Sequence, residues 1–68
     1  MNTKWLKTKQ PMLGTPIEVQ NLGMKEWHTQ IYICSSEAGI VCVKPEDEEN
    51  FKKGFSFRTV LWDKWRHI

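Results

Sequence analysis

The sequence predicts a mainly β domain: a small curled antiparallel sheet or half-open barrel whose elements run β-β-β-α-β, with one short helix around 45–53. Three observations predict it. Apolar and polar residues alternate along 16–20, 26–34 and 55–62, the two-residue period of strands with a buried face. Short turn signals, Asn21-Leu22-Gly23 and Ser35-Ser36-Glu37-Ala38-Gly39, connect the first strands as an antiparallel sheet requires. Between 44 and 54 the pattern changes to helix signals: Pro45 at a first helical position, Glu46 to Glu49 in the first turn, Lys52 and Lys53 in the last, and Gly54 just beyond.

Taken in order, residues 1–13 form a basic N-terminal segment, in which Lys4, Lys7 and Lys9 surround Trp5, and Pro11, Gly14 and Pro16 mark its end. Residues 14–68 carry no repeat, linker or low-complexity tract and form a single small β-rich domain. The first strand sets Ile17 and Val19 on one face against Glu18 and Gln20 on the other. In the second, Trp27, Thr29, Ile31 and Ile33 form the expected core face, with His28, Gln30, Tyr32 and Cys34 opposite. A three-residue loop at 37–39, with Gly39 in the left-handed position, pairs Ser36 with Ile40, Ile33 with Val43 and Cys34 with Cys42. Phe51 anchors the helix to the core. The last strand, 55–62, sets Phe55, Phe57, Thr59 and Leu61 against Ser56, Arg58, Val60 and Trp62, with Phe55 and Phe57 expected inside. Because both faces are apolar by its end, a bulge or change of facing is expected near 59–62.

Composition bounds the function. A chain of 68 residues makes one domain, and at this size folding buries only about 60% of the unfolded surface, so large side chains must supply the core. Four Trp, three Phe and one Tyr do so. No apolar run reaches the roughly 18 residues of a membrane span, and the first residues lack the apolar region of a secretory signal. A cytoplasmic protein with Cys34 and Cys42 reduced is therefore expected. The net charge of +2 divides into basic ends and the acidic run Glu46-Asp47-Glu48-Glu49, a distribution that suits a protein partner as well as a phosphate backbone. The acids read most simply as helix N-terminal complements.

The octamer KGFSFRTV (53–60) resembles the aromatic RNA-binding octamer of sheet-based nucleic-acid binders. Its position argues against that reading: an RNA-recognition domain needs a further helix and strand after it, and only eight residues follow. Cys34, Cys42, His28 and His67 lack the close pairing of a structural zinc site. No nucleophile–base set, carboxylate pair or phosphate-cradling loop is present, so neither an enzyme nor a cofactor is expected. What remains is surface recognition. Trp62, Trp65, Arg66, Arg58 and Tyr32 are expected to gather on the non-core side of the last strands, with Trp5 as an auxiliary arm, because Trp, Tyr and Arg dominate interface energetics. The bland alternative makes Trp62 and Trp65 clamps that close the end of the sheet.

The pattern Gly14-Thr15-Pro16-Ile17-Glu18-Val19, Glu26-Trp27, Ile40-Val41-Cys42-Val43, Phe51-Lys52-Lys53-Gly54-Phe55 and Trp62-Asp63-Lys64-Trp65-Arg66 resembles the small SH3-like β proteins of bacteriophage accessory genes. The resemblance covers 14–68. It implies an SH3-like half-barrel and a non-enzymatic, phage-encoded protein that binds a host protein of the defence or transcription machinery and modulates or inhibits it. It brings no binding residues with it. Two other functions remain open at this point: a single-stranded nucleic-acid-binding module, and a structural component of a virion or its assembly.

Overall fold

A computed structural model describes residues 10–68; Lys4, Trp5, Lys7 and Lys9 lie outside the described residues. Pro16–Gln20 forms β1, His28–Ser36 β2, Gly39–Val43 β3, Glu48–Lys53 the helix α1, Thr59–Trp62 β4 and Lys64–Arg66 β5. The five strands make one antiparallel sheet in the order β4-β3-β2-β1-β5. The architecture is thus mainly β with one short helix, as the sequence predicts, extended by a fifth strand. Strands β4 and β5 are separated by Asp63 alone yet occupy opposite edges. A flat sheet cannot meet that condition, so the sheet curls until its two edges turn toward each other; no ladder joins them, and the barrel stays open.

The corner is fixed by a reciprocal pair of bonds. The backbone N–H of Asp63 donates to Asn21 Oδ1 at 3.0 Å, while the Leu22 N–H donates to the Asp63 carboxylate. The β1–β2 turn and the β4–β5 corner therefore hold one another. Inside the curl lie Ile17, Val19, Tyr32, Ile40, Cys42 and Trp62, with Val60 and Trp65 packed against them. Trp62 crosses the interior to set its ring 5.6 Å from that of His28 on β2.

This reverses the expected facing of the second strand. Ile17 pairs with Gln30, Val19 with His28 and Tyr32 with Cys42, and directly paired residues share a face. The inner face of β2 is therefore His28, Gln30 and Tyr32, not Trp27, Thr29, Ile31 and Ile33. The alternation was read in the right period but assigned to the wrong side, because both faces are in part covered. Ile31 and Val43, paired on the outer face, are also buried. On that side the helical segment meets β2, and Phe51 lies 3.8 Å from where a Cβ on Gly14 would stand.

The hairpin differs as well. Glu37 and Ala38 alone form the turn, so Ser36 pairs with Gly39 and Cys34 with Val41, and a bulge lies between Tyr32 and Cys34. Cys34 and Cys42 therefore do not face one another. The tighter turn depends on Gly39, whose φ of +145° is closed to most side chains and where a Cβ would collide with the Trp62 carbonyl oxygen.

The helical segment fills its expected span as a 3-10 turn, Pro45–Asp47, followed by α1. Its end explains a further correction. Gly54 is left-handed, its N–H bonds to Phe51 O at 3.3 Å, and the Phe55 N–H bonds to Asn50 O at 2.8 Å. That six-to-one and five-to-two pattern is a Schellman closure. It commits the Phe55 N–H to the helix, so no strand begins there, and β4 starts only at Thr59. Phe55 and Phe57 are consequently exposed rather than core, and the inner face of the last strand is Val60 and Trp62. The bulge or change of facing expected near 59–62 does not occur, because β4 pairs with β3 residue for residue; the chain breaks only afterwards, at Asp63.

Replacement Gly39→Ala should lower stability by about 1–3 kcal/mol, since it adds strain at a positive φ and a Cβ against the Trp62 carbonyl oxygen. The Gly23→Ala change, at φ +87° with nothing near the new Cβ, meets backbone strain alone and should cost less. Denaturant unfolding of both variants measures the difference.

Candidate protein-binding surface

The residues expected to form one contact surface are separated by the curl. Tyr32 and Trp62 are buried and Trp65 is half-buried against the same core, all on the inner side. The gathering on the non-core face therefore does not occur. The reason is the parity of the pairing: Ile40 stands opposite Trp62 and Val19 opposite Trp65, so both indoles turn inward from the two ends of the sheet. The Tyr32 hydroxyl is held by Ser35 Oγ at 2.8 Å, and that Ser35 hydroxyl donates to Gln10 Oε1 at 2.7 Å. His67 rests edge-on against Trp65 at 4.8 Å, so each histidine packs on a tryptophan.

Arg66 emerges on the outer face. It lies opposite Glu18, donating from Nε to Oε1 at 2.9 Å, and its guanidinium sits 4.1 Å from the centre of the Trp27 ring. Lys64 approaches the same ring at 5.7 Å. Beneath this layer Gln20 is buried, donating from Nε2 to the Glu26 carbonyl at 3.4 Å. Trp27, Arg66 and Glu18 thus form a small satellite cap in which the Arg66 guanidinium meets both the Glu18 carboxylate and the Trp27 ring. Such a cap stabilises the sheet edge.

Arg58 lies elsewhere, exposed in the irregular stretch 55–58 that precedes β4. Near it in the chain stand Phe55 and Phe57, which were expected in the core, and Leu61. Phe55 is 61% exposed, Phe57 37% and Leu61 49%. Phe57 is steadied edge-on by Phe51 at 5.2 Å. Leu61 pairs with half-buried Val41 on the outer face. Along this strip runs the outward edge of β4, which pairs with β3 on one side and, among the described residues, with nothing on the other. Strand β4 holds no charged residue, whereas the opposite edge strand, β5, is three residues long and places Lys64 and Arg66 around Trp65. Short, charged edges resist pairing, so β4 is the less protected of the two. Arg58 was legible as a contact candidate; Phe55, Phe57 and Leu61 were not. The available signal was Lys53-Gly54, which ends a helix and takes the next N–H with it.

No family model, no curated protein and no solved structure matches this chain.

The two cysteines differ in chemistry. Cys34 is exposed and Cys42 is buried in the core. Burial, with a smaller contribution from the charge on neighbouring Cys34, pushes the Cys42 thiol from its ordinary 9.0 up to about 12. Two outcomes are expected. An aromatic disulfide reagent at mildly alkaline pH should titrate Cys34 quickly and Cys42 only on unfolding, as read by absorbance with and without denaturant. The folded state also keeps a proton that the unfolded chain releases above its ordinary value. This contribution to stability is complete below about pH 9 and is lost as pH rises toward about 12. Unfolding midpoints measured across that window should fall more steeply for the wild type than for Cys42→Ala.

Proposed function

We propose that the protein is a non-enzymatic binding protein that docks another protein along the outward edge of β4 and the apolar strip beside it, and thereby alters that protein's activity. The observation that carries the reading is the uncharged edge of β4, unpaired among the described residues, with exposed Phe55, Phe57 and Leu61 on or beside it. An exposed edge supplies backbone donors and acceptors to an added strand, and alternate side chains supply specificity. Aromatic side chains next to it supply apolar area at low entropic cost. In keeping with the resemblance drawn from the sequence, the partner is taken to be a host protein of a phage-encoded modulator or inhibitor. Trp62, Trp65 and Tyr32 support the surface from within, and Arg58 belongs to it.

A second reading has one observation in its favour. Exposed Phe55 and Phe57 beside Arg58 also suit base stacking with a phosphate contact in a single-stranded nucleic acid. That reading requires affinity for a labelled oligonucleotide that falls steeply with salt, because phosphate binding releases counterions.

The two separate in one experiment. Tagged full-length protein should retain a stoichiometric partner from host lysate at moderate salt. The Leu61→Lys variant, with its fold checked by circular dichroism, should lose that partner by at least about thirtyfold in affinity, the scale of an interface hot spot. Equal recovery by both proteins, or none by the wild type, removes this reading.

A further inference from the structure

We propose that the interior of the curl holds a binding site for one water molecule, which bridges Trp62 Nε1 and Gln30 Oε1 and so ties the last residue of β4 to β2. These two atoms are the buried side-chain polar atoms that find no hydrogen-bond partner among the described residues. Gln30 and Trp62 are each only 7% exposed, so bulk solvent does not serve them. A polar group shut away from water without a partner bears its full desolvation cost, and native interiors keep few such groups.

The two groups share one region and complement each other. Gln30 pairs with Ile17 of the core, which puts it on the inner face of β2 between His28 and Tyr32. The Trp62 ring reaches that face too, its centre 5.6 Å from that of His28, the preceding inward residue of β2. An indole N–H can only donate and an amide oxygen can only accept. Nothing else on this face serves them: the Tyr32 hydroxyl is engaged with Ser35 Oγ at 2.8 Å, and Ile17, Val19 and Ile40 carry no polar side-chain atom. Nor do Trp62 and Gln30 bond one another. A single water satisfies both, its oxygen accepting from the indole N–H while one of its hydrogens is donated to the amide oxygen. Two partners are the lower end of what a buried water takes. The bridge gives Gln30 an interior role that hydrophobicity alone does not. It is independent of the docking reading, since it involves the inner face and not the outward edge of β4.

The test uses the full-length, isotope-labelled protein and nuclear magnetic resonance, with the Trp62 indole signal assigned by its loss in Trp62→Phe. That N–H should be protected from exchange and should show a cross-peak to water of the sign given by a long-resident molecule. In Gln30→Met, which keeps the chain length and removes the acceptor, the cross-peak should vanish and the unfolding equilibrium constant should rise roughly tenfold. Protection without a water cross-peak overturns the proposal in favour of a direct bond from Trp62 to a turned Gln30 amide. A cross-peak that survives unchanged in Gln30→Met overturns the bridge, because the water is then held by Trp62 without Gln30. A crystal structure of the wild type decides the matter even where Gln30→Met does not fold. A solvent oxygen within hydrogen-bond reach of both atoms supports the bridge, and solvent at one atom only, or at neither, removes it.

Discussion

The rest of the structure depends on one covalent constraint: the two edge strands of the sheet are consecutive in the chain, with only Asp63 between them. Everything inside follows from it. To put Thr59–Trp62 beside β3 and Lys64–Arg66 beside β1, the sheet must turn its edges toward each other. The enclosed face then has room for two indoles that enter from opposite edges. The Asn21 and Asp63 bonds give the turn its hold, since each side chain meets a backbone N–H that a tight corner would otherwise leave open. Corner, curl and core are one arrangement.

The sequence made part of this visible. Strand β1, the helical segment with its acidic start and glycine stop, and the mainly β architecture could all be read from local signals, because period, capping and turn chemistry act over a few residues. What could not be read were choices between two nearly equivalent faces. In β2, His28, Gln30 and Tyr32 compete with Ile31 and Ile33 for the interior, and hydrophobicity favours the wrong set. The decision belongs to the curl, which demands Tyr32 and Trp62 inside while the helix side shelters Ile31 and Val43. The same holds for the last strand, where Phe55 and Phe57 outweigh Val60 locally but are excluded by the Schellman closure at Gly54. The hairpin register turned on a single residue: moving Gly39 from loop to strand separated Cys34 from Cys42.

The candidate surface was misread for a related reason. Interface statistics favour Trp and Tyr, and the sequence offers them near Arg at its C-terminal end. A chain of this length buries so little surface that its largest side chains are needed within. Once Tyr32, Trp62 and Trp65 supply the interior, Phe55, Phe57 and Leu61 are left outside, held out of the core by the helix end and the strand parity.

Where those groups fall is also a consequence of the curl. Closure would have paired β4 with β5 and left no edge. The break at Asp63 instead directs β5 onto β1, so among the described residues β4 keeps an unpaired side. The two edges are not alike in their protection. On β5, Arg66 is held by both Glu18 and the Trp27 ring, giving that edge a finished, charged border. On β4 no residue is charged, and among the described residues no strand pairs with its outward side. One curled sheet thus meets solvent differently at its two edges, with a paired, charged border on β5 and exposed Leu61 on β4.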